Sequence, residues 1–382
     1  MPSRSTNQPT LYVGLMSGTS LDGVDGVLVD FANGDDQLPL VLGHAFDTFD
    51  APLRAELLAL NASGADELQR MFLAGNALAR SYTALVRRLL AEADVGAEAV
   101  KAIGAHGQTV RHRPGEFDGI GYTVQLNNPS LLAELSGIDV IADFRSRDVA
   151  AGGQGAPLAP GFHKAVFGRS GQSVAVLNLG GIANLTLVDA DGTTRGFDCG
   201  PANALIDHWT LTHLGRPFDR DGQWAASGRL DQLLLDSLMS EPFLSAPPPK
   251  STGRDLFNPV WFQGHLDATS AGRSLHARAV QATLVEFTAR SATDALLTHF
   301  PAVRELLVCG GGAYNTHLMG RIAALLPGVK VERTDDRGLP ATQVEGCAFA
   351  WLAKAFVERQ PGNIASVTGA KGARVLGALY PS

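Results

Sequence analysis

Short apolar runs alternate along this chain with longer segments in which apolar residues return every three or four positions. The short runs are rich in Val, Ile, Leu and Phe and predict β-strands, and the longer segments predict amphipathic helices. The predicted strands are Leu11–Met16, Val27–Phe31, Tyr122–Leu126, Val140–Phe144, Val174–Leu179, Asn184–Val188 and Glu305–Cys309. The predicted helices are 65–93, 129–135, 202–214, 229–239, 276–299, 314–326 and 342–358. This alternation indicates an α/β protein with some antiparallel hairpins.

Three of the predicted strands lead into turns of small residues. The turns lie in GLMSGTSLDG from Gly14, NLGGIAN from Asn178 and VCGGGAYN from Val308. Because glycine has no Cβ, backbone N–H groups in such turns can approach an anion closely. A tight hairpin uses the same residue types, so the first turn taken alone fits either a phosphate cradle or a simple hairpin. Three such turns in both halves of the chain favour a nucleotide bound in a cleft between domains.

Composition narrows the class of ligand. A chain of 382 residues predicts two domains, and its formal net charge of -7 at pH 7 leaves no basic footprint for nucleic acid or an anionic membrane. The three cysteines stand far apart, without the spacing of a zinc site or a disulfide framework, which favours a reducing compartment. No apolar run reaches the length of a membrane span. We therefore expect a cytoplasmic protein with small-molecule ligands.

A Gly-, Ala- and Pro-rich stretch indicates the domain boundary. Residues 145–160, RSRDVAAGGQGAPLAP, are typical of a crossover or hinge, with Gly152–Gly155 as the candidate hinge itself. We predict a first domain over 1–144, against which residues 371–382 could pack back, and a second domain over 145–370. A P-loop at Lys250-Ser251 is excluded, because that motif needs Gly before the Lys and a strand upstream.

Nine short motifs follow one another along the chain. They are GLMSGTSLDG at Gly14, AHGQTVRH at Ala105, DFRSRDVAAGGQGAP at Asp143, NLGGIAN at Asn178, GFDCGPAN at Gly196, FDRDGQWAASG at Phe218, PKSTGR at Pro249, VCGGGAYN at Val308 and EGCAFAWLA at Glu345. In this order they resemble the motifs of the anhydro-N-acetylmuramic acid kinases, a family within the actin, sugar-kinase and heat-shock chaperone ATPase superfamily. The resemblance covers nearly the whole chain from Tyr12 onward, and although each motif alone is weak, nine in order are highly specific.

This resemblance implies a two-domain actin-like ATPase (ribonuclease H-like) fold with a nucleotide cleft between the domains. It also implies conversion of 1,6-anhydro-N-acetylmuramic acid, ATP and water into N-acetylmuramic acid 6-phosphate and ADP, in recycling of cell-wall peptidoglycan. ATP and Mg²⁺ are the implied cofactors, and a homodimer is the implied assembly. Two alternatives share the nucleotide turns: a hexosamine kinase of the same superfamily without ring cleavage, and an actin-like ATPase that needs no sugar.

The resemblance also suggests roles for individual residues. Asp198 matches the catalytic aspartate that takes a proton from water, and Asp22 would orient Mg²⁺ through water. Arg147 would bind the lactyl carboxylate, and Glu345 and His106 would line the sugar site. The phosphates would be held by Ser17, Gly18, Thr19, Ser20, Leu21, Asp22, Gly23, Gly180, Gly181 and Asn184, and adenosine by Gly310, Gly311, Gly312 and Asn315.

Each of these residues also has a purely structural interpretation. Asp198 precedes Gly-Pro and could be a turn or helix cap, and Glu345 could simply complement a helix dipole. Arg147, next to Asp148, could form a surface ion pair. His106 and His112 are six residues apart and lack another convincing ligand, so a metal site is disfavoured there.

Overall fold

The computed structural model describes residues 10–18, 21–32, 34, 37–253, 256–271, 273 and 275–382. Its strands are β1 (Leu11–Ser17), β2 (Gly23–Asp30), β3 (Leu40–Thr48), β4 (Val100–Pro114), β5 (Gly121–Leu126), β6 (Val140–Ala142), β7 (Val174–Leu179), β8 (Ile182–Val188), β9 (Thr194–Pro201), β10 (Glu305–Cys309), β11 (Lys330–Arg333) and β12 (Ala378–Tyr380). Its helices are α1 (Ala51–Ala59), α2 (Glu67–Glu92), α3 (Pro129–Ser136), α4 (Ser146–Ala150), α5 (Ala159–Phe167), α6 (Asn203–Leu214), α7 (Gln223–Ala226), α8 (Gln232–Met239), α9 (Pro242–Ser245), α10 (Pro259–Ser270), α11 (Ala277–His299), α12 (Thr316–Leu325), α13 (Val344–Val357) and α14 (Ala365–Thr368). Among the residues described, no helix is both long and apolar enough to cross a bilayer.

The chain divides into two compact units. The first comprises the residues up to Phe167 together with Gln343–Ser382, and the second comprises Gly168–Thr342. Residues 145–167 and 343–370 therefore lie in the first unit, although their sequence led us to expect them in the second domain. The chain passes from one unit to the other after Phe167 and again after Thr342.

A buried carboxylate explains why the boundary lies later than expected. Asp148 is fully buried, and its Oδ1 accepts hydrogen bonds from Asn363 Nδ2 at 2.6 Å and Thr368 Oγ1 at 2.8 Å. Its Oδ2 accepts from the backbone N–H of Gly155 at 2.8 Å, and the N–H of Gln154 donates to the carbonyl of Thr368 at 2.7 Å. The candidate hinge Gly152–Gly155 is thus tied to the C-terminal segment inside the first unit. These bonds join residues more than 200 positions apart in the chain, which no local pattern indicates.

The first unit has one mixed sheet, with strand order β12-β6-β4-β1-β2-β3 and β5 paired to β4. Strands β1, β2 and β3 form an antiparallel meander, β4 lies parallel to β1, and β6 lies parallel to β4. The second unit repeats this topology in the order β11-β10-β7-β8-β9, with an antiparallel meander of β7 to β9 followed by parallel β10 and β11. The same five-strand topology in both units is that of the ribonuclease H-like fold, so the predicted α/β fold class is confirmed. The nucleotide cleft between the units stays a prediction.

Helices cover both faces of the first sheet. Successive residues of a strand point to opposite faces, so Val13 and Leu15 enter the core cluster built with α2, while Gly14 turns toward α13. A Cβ on Gly14 would lie 1.9 Å from the carbonyl oxygen of Gly346, and one on Gly104 would lie 2.0 Å from that of Phe349. The glycines therefore let α13 rest directly on β1 and β4. This packing fixes the first turn of α13, which carries Glu345, against β1.

Candidate active site

Two glycine-rich turns meet at one edge of the second unit's sheet. Strands β7 and β10 are parallel neighbours, with Leu177 opposite Val308 and Asn178 opposite Cys309, so their carboxyl ends lie side by side. Gly310 has a φ of +81°, and a Cβ there would come within 2.5 Å of Asn178 Oδ1. In an open α/β sheet, ligands bind beyond the carboxyl ends of such strands. The turn after β7 and the triple glycine after β10 thus form one continuous edge.

In the turn at Gly180 and Gly181, backbone carbonyls point toward α6 and backbone N–H groups point away from it, where they could bind an anion. The carbonyl of Gly180 accepts from the N–H of Asn203 at 3.0 Å, and that of Gly181 accepts from Ala202 at 3.0 Å and Ala204 at 3.2 Å. Because a trans peptide is planar, the N–H that follows each of these carbonyls points away from α6. Asn203 also fastens the turn, since its Nδ2 donates to the carbonyl of Leu179 at 2.8 Å.

The triple glycine continues into a short 3-10 turn, Gly311–Tyr314, and then into α12. Gly312 packs tightly, because a Cβ on it would lie 2.7 Å from the Leu179 Cβ, whereas a Cβ on Gly311 would meet no described atom within 4 Å. The structure gives Asn315 a local role: it is 9% exposed, and its Oδ1 accepts from the N–H of Leu318 at 3.0 Å as the N-cap of α12.

Asp198 lies on β9, level with two asparagines on the neighbouring strands. Asn178 pairs with Asn184, and Asn184 pairs with Asp198, so the three residues cross the sheet in one row. Two strand spacings separate Asp198 from Asn178, about 10 Å. The Oδ1 atoms of both asparagines are buried and accept no hydrogen bond within the described part of the chain. A buried, unmatched acceptor of this kind suits a bound water or ligand hydroxyl.

The carboxylate of Asp198 is held by the loop that follows α9. Its Oδ2 accepts from Ser251 Oγ at 2.9 Å and from the N–H of Thr252 at 2.9 Å, and its own N–H donates to the carbonyl of Lys250 at 3.2 Å. Asp198 is 7% exposed. It is therefore an oriented carboxylate within the strand rather than a cap of α6.

Lys250 anchors this loop in the interior of the second unit. Its Nζ donates to the carbonyls of Phe243 and Leu244, each at 2.9 Å, and lies 4.7 Å from the centre of the Phe243 ring. Burial lowers the pKa of Lys250, an effect opposed by the neighbouring Cys199 and Asp198. Lys250 therefore has a structural role: its buried side chain holds the loop in place.

The corresponding edge of the first unit carries the turn after β1. Ser17 is buried, and its hydroxyl donates to the carbonyl of Gly107 at 3.0 Å and pairs with the Tyr82 hydroxyl at 2.8 Å, so it is engaged within the unit. Asp22 has a 57% exposed side chain, with Arg54 Nη2 3.5 Å from its Oδ1. Thr19 and Ser20, predicted to hold phosphate, lie outside the described residues.

The rest of this turn is fixed by backbone contacts. Gln108 Nε2 donates to the carbonyl of Gly18 at 3.1 Å, and Arg54 Nε donates to that of Leu21 at 3.1 Å. Leu21 is buried and has a φ of +59°, and Gly23 begins β2, where a Cβ would lie 2.0 Å from the carbonyl oxygen of Asp47.

His106 lies within β4, level with the end of β1, and pairs with Arg145, which follows the end of β6. The Nε2 of His106 accepts from Arg145 Nε at 3.1 Å and lies 2.9 Å from Arg145 Nη2, while Arg145 Nη1 donates to the carbonyl of Gly155 at 2.7 Å. Burial and the Arg145 guanidinium lower the pKa of His106 to about 3. His106 therefore stays neutral, and Arg145 is engaged with the protein.

The proposed sugar ligands differ in how available they are. Arg147 is exposed, and within the described part of the chain its side chain makes no hydrogen bond or ion pair. The expected alternative of a surface ion pair with Asp148 is wrong, because Asp148 is buried and bonded to Asn363, Thr368 and Gly155. Glu345 is half-buried in the first turn of α13.

The sequence is similar to known proteins over a range that includes all the residues of this candidate site. The family model for anhydro-N-acetylmuramic acid kinase matches residues 10–382. The chain belongs to the anhydro-N-acetylmuramic acid kinase family. A protein of that name from Variovorax paradoxus is 58% identical over 377 residues, covering 97% of this chain and 99% of the relative, and one from Cupriavidus metallidurans is 54% identical over 384 residues, covering 100% of both. A solved structure, the activator of 2-hydroxyisocaproyl-CoA dehydratase from Clostridium difficile with bound ADPNP, aligns at a TM-score of 0.47 and 10% identity, over 93% of this chain and 99% of that one.

Family motifs without a predicted role acquire one in the structure. The segment PKSTGR supplies Ser251 and Thr252 to Asp198, a role that the excluded P-loop at Lys250-Ser251 did not suggest. The segment FDRDGQWAASG packs against the triple-glycine turn: a Cβ on Gly222 would lie 2.3 Å from Asn315 Oδ1, and Thr316 Oγ1 donates to the carbonyl of Asp221 at 3.1 Å. In the sequence, Ser251 and Thr252 next to Lys250 were the one indication of this contact, and they did not indicate that Asp198 is the acceptor.

Proposed function

We propose that this chain converts 1,6-anhydro-N-acetylmuramic acid, ATP and water into N-acetylmuramic acid 6-phosphate and ADP, with Asp198 as the general base. We assign the roles of individual residues from the groups that lie at one edge of the second unit's sheet. There the Gly180 turn and the triple glycine follow the ends of the adjacent strands β7 and β10, and the oriented carboxylate of Asp198 lies within β9, in one row with Asn184 and Asn178. The proposed reaction follows from membership of the kinase family. The proposed roles of residues follow from this edge, which has backbone N–H groups for the phosphates, open space for the nucleoside and a carboxylate for the water.

Asp198 would take a proton from the attacking water. The water oxygen bonds to the anomeric carbon as the bond from that carbon to the 6-oxygen breaks, and the freed 6-oxygen attacks the γ-phosphorus of ATP, releasing ADP. Ser251 and the N–H of Thr252 both donate to Oδ2 of this carboxylate, which fixes its orientation on β9. A base held in a fixed orientation lowers the entropy cost of bringing the water into position to attack the anomeric carbon.

The nucleotide would lie along the strand ends. The N–H groups that follow the Gly180 and Gly181 carbonyls point away from α6 and would donate to phosphate oxygens. The open space over Gly311 would admit the nucleoside, because a Cβ there meets no described atom. In the first unit, Gly18 and Gly23 belong to the first phosphate turn of this proposal, and the turn at Gly180 and Gly181 is the second.

Mg²⁺ fits the oxygen donors present. It keeps several waters and takes only one or two carboxylates, so it does not need a cluster of three acidic or histidine side chains, and the described residues contain none. The exposed carboxylate of Asp22 would hold it through water. When bound, the ion neutralises charge on the phosphates.

Arg147 is the residue best suited to the lactyl carboxylate. Its guanidinium is exposed and makes no bond to a described residue, whereas the neighbouring Arg145 is engaged by His106 and Gly155. A guanidinium binds a carboxylate through two parallel hydrogen bonds. Glu345 and the neutral His106 would complete the polar lining of the sugar site.

The activity is tested by incubating the protein with ATP, Mg²⁺ and the anhydro sugar in water enriched in ¹⁸O, with product mass as the readout. The proposal expects N-acetylmuramic acid 6-phosphate carrying one ¹⁸O at the anomeric carbon, and no ATP consumption without sugar. Phosphorylation of an ordinary hexosamine without ¹⁸O, or sugar-independent ATP hydrolysis, would refute it.

The role of Arg147 is tested by substrate comparison. Arg147→Gln should raise the KM for the anhydromuramic sugar about tenfold and leave the KM for the anhydro sugar that lacks the lactyl group unchanged. An equal effect on both sugars would exclude a carboxylate contact.

We also propose that the protein acts in the cytoplasm as a homodimer. All three cysteines are buried free thiols, which fits a reducing compartment that supplies ATP. Sedimentation equilibrium tests the dimer, and a mass equal to one chain at micromolar concentration would exclude it.

A further inference from the structure

One aromatic side chain borders the open space at the triple-glycine turn. Tyr314 ends the 3-10 turn Gly311–Tyr314, and in a 3-10 helix the side chains at i and i+3 eclipse one another. The Cβ direction of Gly311, which meets no described atom within 4 Å, therefore lies on the same face as Tyr314, about 6 Å along the axis. A planar group seated over Gly311 would lie beside the tyrosine ring.

The ring is fixed at its hydroxyl end. Tyr314 donates to Asp335 Oδ1 at 2.9 Å, and the other oxygen of Asp335 accepts from the N–H of Ala341 at 3.2 Å. The carbonyl of Ala341 accepts from the N–H of Gly310 at 2.9 Å. The glycine turn and the ring are therefore attached to one segment, which holds their separation constant.

Arg333 supports the ring without enclosing it. Its guanidinium carbon lies 5.3 Å from the centre of the ring, in the range of a cation–π contact, yet Tyr314 remains 38% exposed. A tyrosine held at its hydroxyl and at its ring, and still open to solvent, is prepared for a flat ligand rather than buried for the core. Ordering the ring beforehand reduces the entropy cost of binding.

We infer that Tyr314 is the stacking platform for the adenine base of ATP, positioned by Asp335 and Arg333. This inference rests on the proposed function insofar as that function places ATP at the triple-glycine turn. The base stacks on the tyrosine ring, while Gly311 leaves the room that the nucleoside needs.

The test uses the full chain and the triphosphate of 2-aminopurine riboside, whose fluorescence falls when the base stacks on an aromatic ring. The wild type and Tyr314→Phe should quench the probe, and Tyr314→Leu should not. Tyr314→Leu should also bind ATP about 2- to 13-fold more weakly, since an aromatic pair contributes about 0.5–1.5 kcal/mol. Its affinity for inorganic tripolyphosphate, which has no base, should stay unchanged.

The matched control is Tyr122→Leu, which removes another exposed, stacked tyrosine that lies in the first unit. Its affinity for ATP should equal that of the wild type. Undiminished quenching in Tyr314→Leu would overturn the inference, as would equal weakening of ATP and tripolyphosphate, or loss of quenching in Tyr314→Phe. Because nucleotide binding is measured without sugar, these outcomes are distinct from a failure of the sugar kinase reaction.

Discussion

Ser251→Ala tests whether the loop that contains Ser251 orients the carboxylate of Asp198. The substitution removes the hydroxyl that donates to Asp198 Oδ2 at 2.9 Å and leaves the N–H of Thr252, which donates to the same oxygen, in place. The loop keeps its anchor, because Lys250 still donates to the carbonyls of Phe243 and Leu244. The carboxylate can then rotate about the bond to its strand, and fewer encounters with the water are productive.

The expected size of the effect follows from the type of bond. A hydrogen bond to a charged group contributes about 1.5–3 kcal/mol, and each 1.4 kcal/mol is about tenfold in rate. Since Thr252 retains the second bond, we expect the lower end, a fall in kcat of about tenfold. The KM values for ATP and sugar should change less than twofold, because Ser251 contacts the base rather than the substrates in this proposal.

The assay is steady-state ADP release with saturating anhydro sugar, with kcat and both KM values determined for each variant. Ser251→Thr, which keeps the hydroxyl, should recover most of the rate. Ser240→Ala removes an exposed serine whose Oγ donates only to the Ser237 carbonyl, at 2.7 Å, and should leave kcat unchanged. A kcat of Ser251→Ala within twofold of the wild type would falsify the positioning role.

Four further predictions follow from the geometry. Asp198→Asn should abolish turnover yet keep ATP affinity in calorimetry, because an amide cannot accept the proton. Gly311→Val should weaken ATP binding at least tenfold with an unchanged melting temperature, because its side chain enters space that no described atom fills. Gly14→Ala should lower the free energy of unfolding by about 3 kcal/mol or more in urea titration, because its Cβ would lie 1.9 Å from the Gly346 carbonyl. Since the pKa of His106 is about 3 in the folded chain and 6.5 ordinarily, the unfolded chain binds a proton that the folded chain does not, and stability should fall between pH 7 and 5 by about 2 kcal/mol more in the wild type than in His106→Gln.

Each of these has a result that contradicts it. Turnover near the wild-type rate in Asp198→Asn excludes that base, and unchanged ATP affinity in Gly311→Val excludes a ligand at the triple glycine. Gly320→Ala, at a helical glycine where a Cβ would meet no described atom within 4 Å, is the control for Gly14→Ala and should not destabilise the chain. Equal pH slopes for the wild type and the His106 variant would mean that the histidine is not neutral in the folded state.

Strongly patterned segments could be predicted from the chain alone. The apolar runs of β1, β7 and β10 and the long periodic helices α2 and α11 lie close to their expected bounds. Strand β4 was missed because its second half, HGQTVRHRP, is polar and pairs with β5 at the edge of the core. Strand β11 was missed because it has only four residues and no buried one.

The chain by itself determined the glycine turns, their positions after apolar strands and the family, because these are written in short contiguous motifs. Only the tertiary structure decided that Ser251 and Thr252 hold Asp198, that Asp148 ties residues 145–155 to the C-terminal segment, and that the first unit extends to Phe167. Such contacts join residues 53 to 220 positions apart. They arise when strands and helices pack, since the burial of a carboxylate selects its partners from whatever donors the fold brings near.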